Sequence, residues 1–247
     1  MIDVSNSKEP LQEYPITARN KVKRMKERAH YDTETVYELL DSALFCHIAY
    51  VVDGQPYCTP TLFWRRDNHV IWHGSVGSKM LNALAKQIDV CLTVSFFDSI
   101  VLTRGAFHLA VNYRSAMLFG RATPIEDPEE KRREADELIE NFLPGRSSLV
   151  IPPTPAEIRQ AMFLKMPIDQ AVAKIRNYPA SHETVENRHQ PVWAGEIPIE
   201  TRIGRAVPCT TLDPAIAKGL DVESYREGAR LDSTLLGLRR RAGRAKQ

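Results

Sequence analysis

PYCTPTLFWRRDNHVIWHGSVGSKMLNAL, residues 56–84, changes character twice. Aromatic and β-branched residues run to Arg66, Asp67-Asn68 interrupt them, and His69–Trp72 resume a second strand-type run. Gly74-Ser75-Val76-Gly77-Ser78-Lys79 then leads into an amphipathic helix expected from about Ser78 to Gln87. Upstream, LFCHIAYVV joins this stretch through Asp53-Gly54, a hairpin signal because glycine accepts positive φ. The three runs make a meander. Downstream, DVCLTVSFF, IVLTRGAFHLAV and YRSAMLFGRATPI add strands with only that helix interposed. A parallel sheet needs regular strand–helix alternation, which this chain lacks. Many short antiparallel strands predict a mainly β protein whose sheet curls into a barrel, so removing exposed edges.

The turn at residues 74–79 has the chemistry of an anion site. The first N–H groups of a helix are unpaired and its dipole end is positive. Ser75 and Ser78 add hydroxyls, Gly74 and Gly77 allow close backbone approach, and Lys79 adds a charge. The spacing is not that of a Walker loop. The same residues would equally make a plain capped turn with a surface lysine.

The flanks are read from caps and periodicity. DTETVYELLDSA predicts a helix capped by Asp32 or Thr33, with Val36, Leu39 and Leu40 as its apolar face. DPEEKRREADELIENFLP is a charged helix with Pro128 in its first turn, and VIPPTPAEI enters another at Thr154. FLKMPIDQAVAKIRN is expected to be the last strand, although periodicity also allows a helix in its second half. The expected organisation is a basic arm over residues 1–30 and a barrel domain over 31–200 with a helical insertion around 127–162. An irregular extension over 201–247 follows, its basic end LRRRAGRAKQ solvated.

Lys and Arg number 33 against 31 Asp and Glu, so charge does not advertise nucleic acid or a membrane surface as partner. No apolar run approaches the ~20 residues of a membrane span, and the N-terminus lacks the pattern of a signal peptide. Cys46, Cys58, Cys91 and Cys209 form no CxxC pair, which predicts the reducing cytoplasm. His47, His69 and His108 have no ligand spacing, and no metal site is expected.

Residues 56–84, with NYRSAMLFGRA, AVAKIRN and PVWAGEIP following in order, resemble the FMN-binding split-barrel superfamily of the pyridoxamine 5′-phosphate oxidase type. The similar branch is that of flavin-nucleotide-binding proteins related to nitroimidazole-resistance reductases, and the likeness covers roughly residues 20–200. The resemblance implies a six-stranded antiparallel split β-barrel, a homodimer, and FMN at the subunit interface. Pro60, Thr61 and Leu62 would lie beside the isoalloxazine, with His73 and Gly74 against it. Ser75, Ser78 and Lys79 would serve the phosphate end. Ser115 with Arg114 would reach across from the partner subunit, and Trp193 would cover the ring region.

His73 is the candidate catalytic residue, its plainer reading being a packing contact with the flavin. The implied activity is an FMN-dependent oxidoreductase acting on a small-molecule substrate, with NAD(P)H as a candidate reductant. A non-catalytic flavin carrier and a nitroaromatic reductase are the alternatives. Oxidation of pyridoxamine phosphate is disfavoured: Met80 stands where those oxidases have a second basic residue, and their basic, histidine-containing substrate segment has no match.

Overall fold

In the computed structural model, residues 13–180 and 187–245 are described. After β1 (Ala29–His30), Asp32 accepts a hydrogen bond from the Thr35 N–H and starts α1 (Thr33–Ser42). β2 (Phe45–Val52) and β3 (Gln55–Arg66) form a hairpin closed by Asp53 and Gly54, both at positive φ (52° and 75°). Two successive positive φ values give the turn that matches strand twist, which is why Asp-Gly reads so clearly there. β4 (His69–Ser75) returns alongside β3, and α2 (Lys79–Leu84) follows.

β5 (Asp89–Leu102) and β6 (Ala110–Arg121) are the long central pair. β7 (Thr123–Ile125), α3 (Pro128–Phe142), α4 (Pro155–Gln160), β8 (Ala161–Pro167) and β9 (Gln170–Arg176) come next. β10 (Gly195–Pro198), the single-turn α5 (Leu220–Glu223) and α6 (Leu231–Ala245) complete the described elements.

Every ladder is antiparallel, in the order β1-β9-β6-β5-β2-β3-β4-β8-β7, with β10 added to β5. The path does not close by hydrogen bonds. It closes by packing: β8 returns against β6 so tightly that a Cβ on Gly120 would meet Met166 Sδ at 3.0 Å. This is a split barrel, mainly β with peripheral helices.

Alternation along the strands sends one face inward. Cys46, Ile48, Phe63, Trp72, Leu92, Leu118, Leu164 and Met166 fill the barrel, and α1 and α2 plug it through Leu39, Leu40, Leu81 and Leu84. A smaller cluster on the other face of β3 and β4 joins Trp64, Ile71, Ile125 and Phe163 to Ala135 and Leu138 of α3.

Three expectations change. FLKMPIDQAVAKIRN is two strands, β8 and β9, and the helical option for its second half is not taken, since Ala171, Val172 and Ala173 are all buried in the sheet. The extension at 201–247 is not wholly irregular. α6 buries Leu235 and Leu238, and buried Arg239 donates to Leu40 O (2.9 Å) and Ala43 O (3.0 Å), capping the C-terminal end of α1. Burial pushes the Arg239 guanidinium down to about 10. The basic arm, from residue 13 onward, lies on the barrel: Tyr14 is buried and Asn20 Nδ2 donates to Ala171 O (3.1 Å). Residues 1–12 lie outside the described residues. No helix among those described is long and apolar enough to cross a membrane.

Candidate functional site

The turn after β4 is held open and rigid by its own side chains. Ser78 caps α2 by accepting from the Leu81 N–H (3.4 Å), and Ser75 Oγ accepts from the Gly77 N–H (3.2 Å). Asn82 Nδ2 bridges Val76 O (2.8 Å) and Ser78 O (2.9 Å). Neither glycine is at positive φ. Gly74 instead lets α2 approach β4, because a Cβ there would meet Leu81 Cδ1 at 3.0 Å, whereas Gly77 faces more open space. Of the two, only Gly77 leaves room for a ligand to approach.

Lys79 is exposed but aimed. Its Nζ donates to the Tyr57 hydroxyl (3.0 Å) and sits 4.7 Å from that ring, which stacks on Tyr50. The hydrogen bond to Tyr57 raises the ammonium pKa above its usual value. Tyr57 lies on β3, so the cation stands at one end of the strand that carries Pro60, Thr61 and Leu62.

Those three residues do not share a face. Thr61 pairs with buried Cys46, whereas Pro60 and Leu62 face outward with their partners His47 and Phe45. The outward row continues from Pro60 through His47, Thr93 and Met117 to Val172. It is a broad sheet face on which Phe45 is 55 % and Met117 39 % exposed.

His73 belongs to the outward face of β4. Its ring stacks on Phe163 (centroids 5.2 Å apart, 20° between planes) and tilts against Trp64 (6.1 Å). Its Nδ1 is buried with no hydrogen-bond partner among the described residues, and burial lowers the imidazole pKa, so the ring is neutral near pH 7. Behind it Trp64 Nε1 donates to the buried Glu134 carboxylate (3.3 Å), which also pairs with Arg66. Burial raises the Glu134 pKa even with Arg66 beside it.

Arg114 and Ser115 lie on β6, three strands from β3 in the sheet, about 14 Å away at ~4.8 Å per strand. The Arg114 guanidinium is committed within its own chain. It grips Asp98 (2.7–3.2 Å), reaches Asp232 at the start of α6 (2.9 Å) and lies over Phe96 (4.6 Å). Ser115 Oγ donates to Lys174 O (3.3 Å).

Trp193 precedes β10, is 63 % exposed, and folds its ring back on Gly195, where a Cβ would meet it at 2.7 Å. Gly195 pairs with Leu102, at the far end of β5 from the Lys79 turn.

One arrangement was hidden in the sequence although its residues were not. Arg176 of AKIRN and Glu196 of WAGEIP both bond to Asn112 of NYRS. Asn112 Nδ2 donates to Glu196 Oε1 (2.5 Å), Ser99 donates to the same oxygen, and Arg176 donates to Asn112 Oδ1. The bonds from Ser99 and Asn112 hold the Glu196 carboxyl below its usual range. The three motifs form a single knot that fixes β10. Tyr57, Phe163 and Asp98, which orient Lys79, His73 and Arg114, were also missed: ordinary strand residues give no signal of a partner far along the chain.

The chain matches the family model described as pyridoxamine 5′-phosphate oxidase over residues 32–175. Among solved structures it is 34% identical to the flavocytochrome Anf3 from Azotobacter vinelandii (TM-score 0.80, 86% of this chain, 98% of that one). It is 28% identical to the FAD and haem binding protein from Mycobacterium smegmatis (TM-score 0.77, 82% and 99%). A protein assigned to 5-nitroimidazole antibiotic resistance from Bacteroides thetaiotaomicron, 22% identical (TM-score 0.52, 60% and 86%), shares the fold. No curated protein matches.

Proposed function

This chain belongs to the pyridoxamine 5′-phosphate oxidase family, and from that premise we propose that it is a redox protein carrying a flavin and a haem. The observation that carries the reading is the pair of relatives spanned almost end to end, one named a flavocytochrome and the other FAD and haem binding.

The residues present fit both groups. For the flavin, the outward face at Pro60 and Leu62 offers an apolar surface for a planar ring, and the Lys79 ammonium is aimed at one end of the same strand. For the haem, the protein would supply a side-chain ligand to the iron. His73 is neutral and half-buried against Phe163 and Trp64, and no group among the described residues bonds its buried Nδ1. An imidazole whose protonation burial opposes is a poor acid at neutral pH and a good metal ligand. The catalytic part expected of His73 is therefore proposed as ligation rather than proton transfer.

When bound, flavin and haem together supply two-electron and one-electron chemistry. The chain's own residues bind and orient: Lys79 and the α2 turn hold a phosphate, and Pro60 and Leu62 present the sheet face. The flavin is proposed as FAD, on the strength of the mycobacterial relative. FMN is the second reading, favoured by the single cation of the turn.

The site is proposed to be shared in a homodimer. Within one protomer the Lys79 turn and Trp193 lie at opposite ends of the sheet, so a two-fold partner would bring one end to the other across the apolar outward face. The reaction is that of an oxidoreductase on a small-molecule substrate, with NAD(P)H as a candidate reductant. A carrier without turnover uses the same site and is separated from the enzyme by reoxidation of the reduced protein.

The test is reconstitution of the full chain with haem. Wild type is expected to give a sharp ligand-bound Soret band that His73→Ala loses while flavin binding and secondary structure persist. An unchanged band in His73→Ala would refute the assignment of the ligand.

A further inference from the structure

A cavity of about 460 Å³ opens where the β5–β6 hairpin meets the segment before β1 and the end of β9, with Arg24, Arg28, Arg176 and Phe107 in its wall. Three guanidinium groups line it, and among the described residues no carboxylate does. Glu196 lies close enough to Arg176, and Glu27 to Arg28, to offset part of this charge, and the positive potential that remains attracts an anion.

Each arginine is placed by different means. Arg176, only 7 % exposed, is fixed by its bond to Asn112. Arg28 and Arg176 both lie against the Tyr178 ring, at 5.6 and 5.7 Å from its centroid. The Arg28 Nε is buried with no hydrogen bond among the described residues; it forms an ion pair with the Glu27 carboxylate at 3.7 Å, beyond hydrogen-bond reach. Met25, between Arg24 and Arg28, sits in the left-handed region (φ 55°, ψ 58°), a conformation that non-glycine residues adopt only when their surroundings impose it. Beside these cations Phe107 is 94 % exposed on the hairpin tip, with His108 edge-on to it. A phenyl ring so exposed next to clustered arginines offers a stacking platform to a flat ligand.

We propose that this cavity binds a nucleotide, with the phosphate on the arginines and the base on Phe107. Its volume is in the range of small-ligand sites. It is separate, within the protomer, from the Lys79 turn. Tyr57, which holds Lys79, is level through Tyr50 with Val90, and the cavity is at Val101, eleven residues further along β5. That is about 35 Å of strand at ~3.3 Å per residue. The proposal therefore stands without the flavin reading. The same chemistry has two sources, a free nucleotide or the adenylate half of an FAD held by a partner protomer.

The experiment titrates AMP into the full-length protein, reconstituted with haem and free of flavin, by calorimetry, with inorganic phosphate and adenosine as separate probes. AMP is expected to bind at one site per chain, and each fragment to bind at least about tenfold more weakly. Arg24→Gln and Arg28→Gln should each weaken AMP about tenfold, the loss of one charge-assisted contact, with unchanged circular dichroism. Phe107→Ser should weaken AMP and leave inorganic phosphate as it was. Absence of AMP binding, or binding undiminished in the folded Arg24→Gln/Arg28→Gln double variant, overturns the proposal. FAD and FMN titrated into the apoprotein of that double variant identify the source. A selective loss of FAD affinity beside the loss of AMP names the adenylate half; unchanged FAD affinity beside the same loss names a free nucleotide.

Discussion

Gly74→Ala is a small change with a large expected effect. The new methyl would lie 3.0 Å from Leu81 Cδ1 and 3.9 Å from Cγ, where carbon atoms prefer ~3.5–4.0 Å. The overlap of about 0.5 Å has little room to relax outward, since Leu81 is fully buried in the barrel core and α2 is pinned by Ser78 and Asn82. Overpacking of this kind costs about 1–3 kcal/mol. Because Ser78 caps α2 and Lys79 begins it, a helix displaced by a few tenths of an ångström also loosens the proposed phosphate end of the site. Stability and flavin affinity should therefore fall together, read by urea denaturation of the apoprotein and by flavin titration. Leu81→Ala alone should cost about 2–5 kcal/mol as a cavity. The double variant should cost less than the two singles combined, by about 1 kcal/mol or more, because each relieves the other. If Gly74→Ala leaves apoprotein stability within about 0.5 kcal/mol and weakens only flavin binding, Gly74 is a ligand-approach residue and the packing argument fails.

Lys79→Ala should weaken flavin binding without moving the denaturation midpoint, since Lys79 is exposed and its ammonium bonds the partly exposed Tyr57 hydroxyl; unchanged affinity would reduce the turn to a cap. Asn112→Ala should free β10, read as new protease cleavage near Trp193, because the Asn112–Glu196 bond anchors that strand. Glu196 titrates below its usual 4.5, so its anchoring is complete above that pH and is lost as pH falls through the depressed value; the wild type should gain the same cleavage only at the acid end of a pH series using an acid-active protease. Asp232→Asn should cost about 1–3 kcal/mol by denaturation, since Arg114 and Arg230 both hydrogen-bond to that carboxylate. Those bonds outweigh burial and keep Asp232 well below the usual carboxylate range.

How far the sequence carried can be traced through particular residues. Asp53-Gly54, the Asp32 cap and Pro128 declared themselves because local chemistry settled each of them: positive φ, an orphan N–H, a missing N–H. α6 was lost to its charge. LRRRAGRAKQ reads as a solvated tail, although Leu231, Leu235 and Leu238 already carry the helical spacing i, i+4, i+7 in the sequence. The knot of Asn112, Arg176 and Glu196 was visible as three separate motifs and not as one bonded group, since Arg176 and Glu196 lie 64 and 84 residues from Asn112. The proposed haem was not legible at all. His73 is a lone histidine on a strand, and the proposal that it is a ligand rests on its neutral, aromatic setting and on an Nδ1 with no partner among the described residues.

The most direct test of the account is the absorption spectrum of the purified full chain, reconstituted with haem and an equimolar mixture of FAD and FMN, taken before and after extraction of its cofactors. The account predicts a flavin band together with a Soret band, and chromatography that recovers both groups in equal amounts per chain. Recovery of FMN with haem would correct the flavin alone. A chain that retains neither a flavin nor a haem would contradict the central claim.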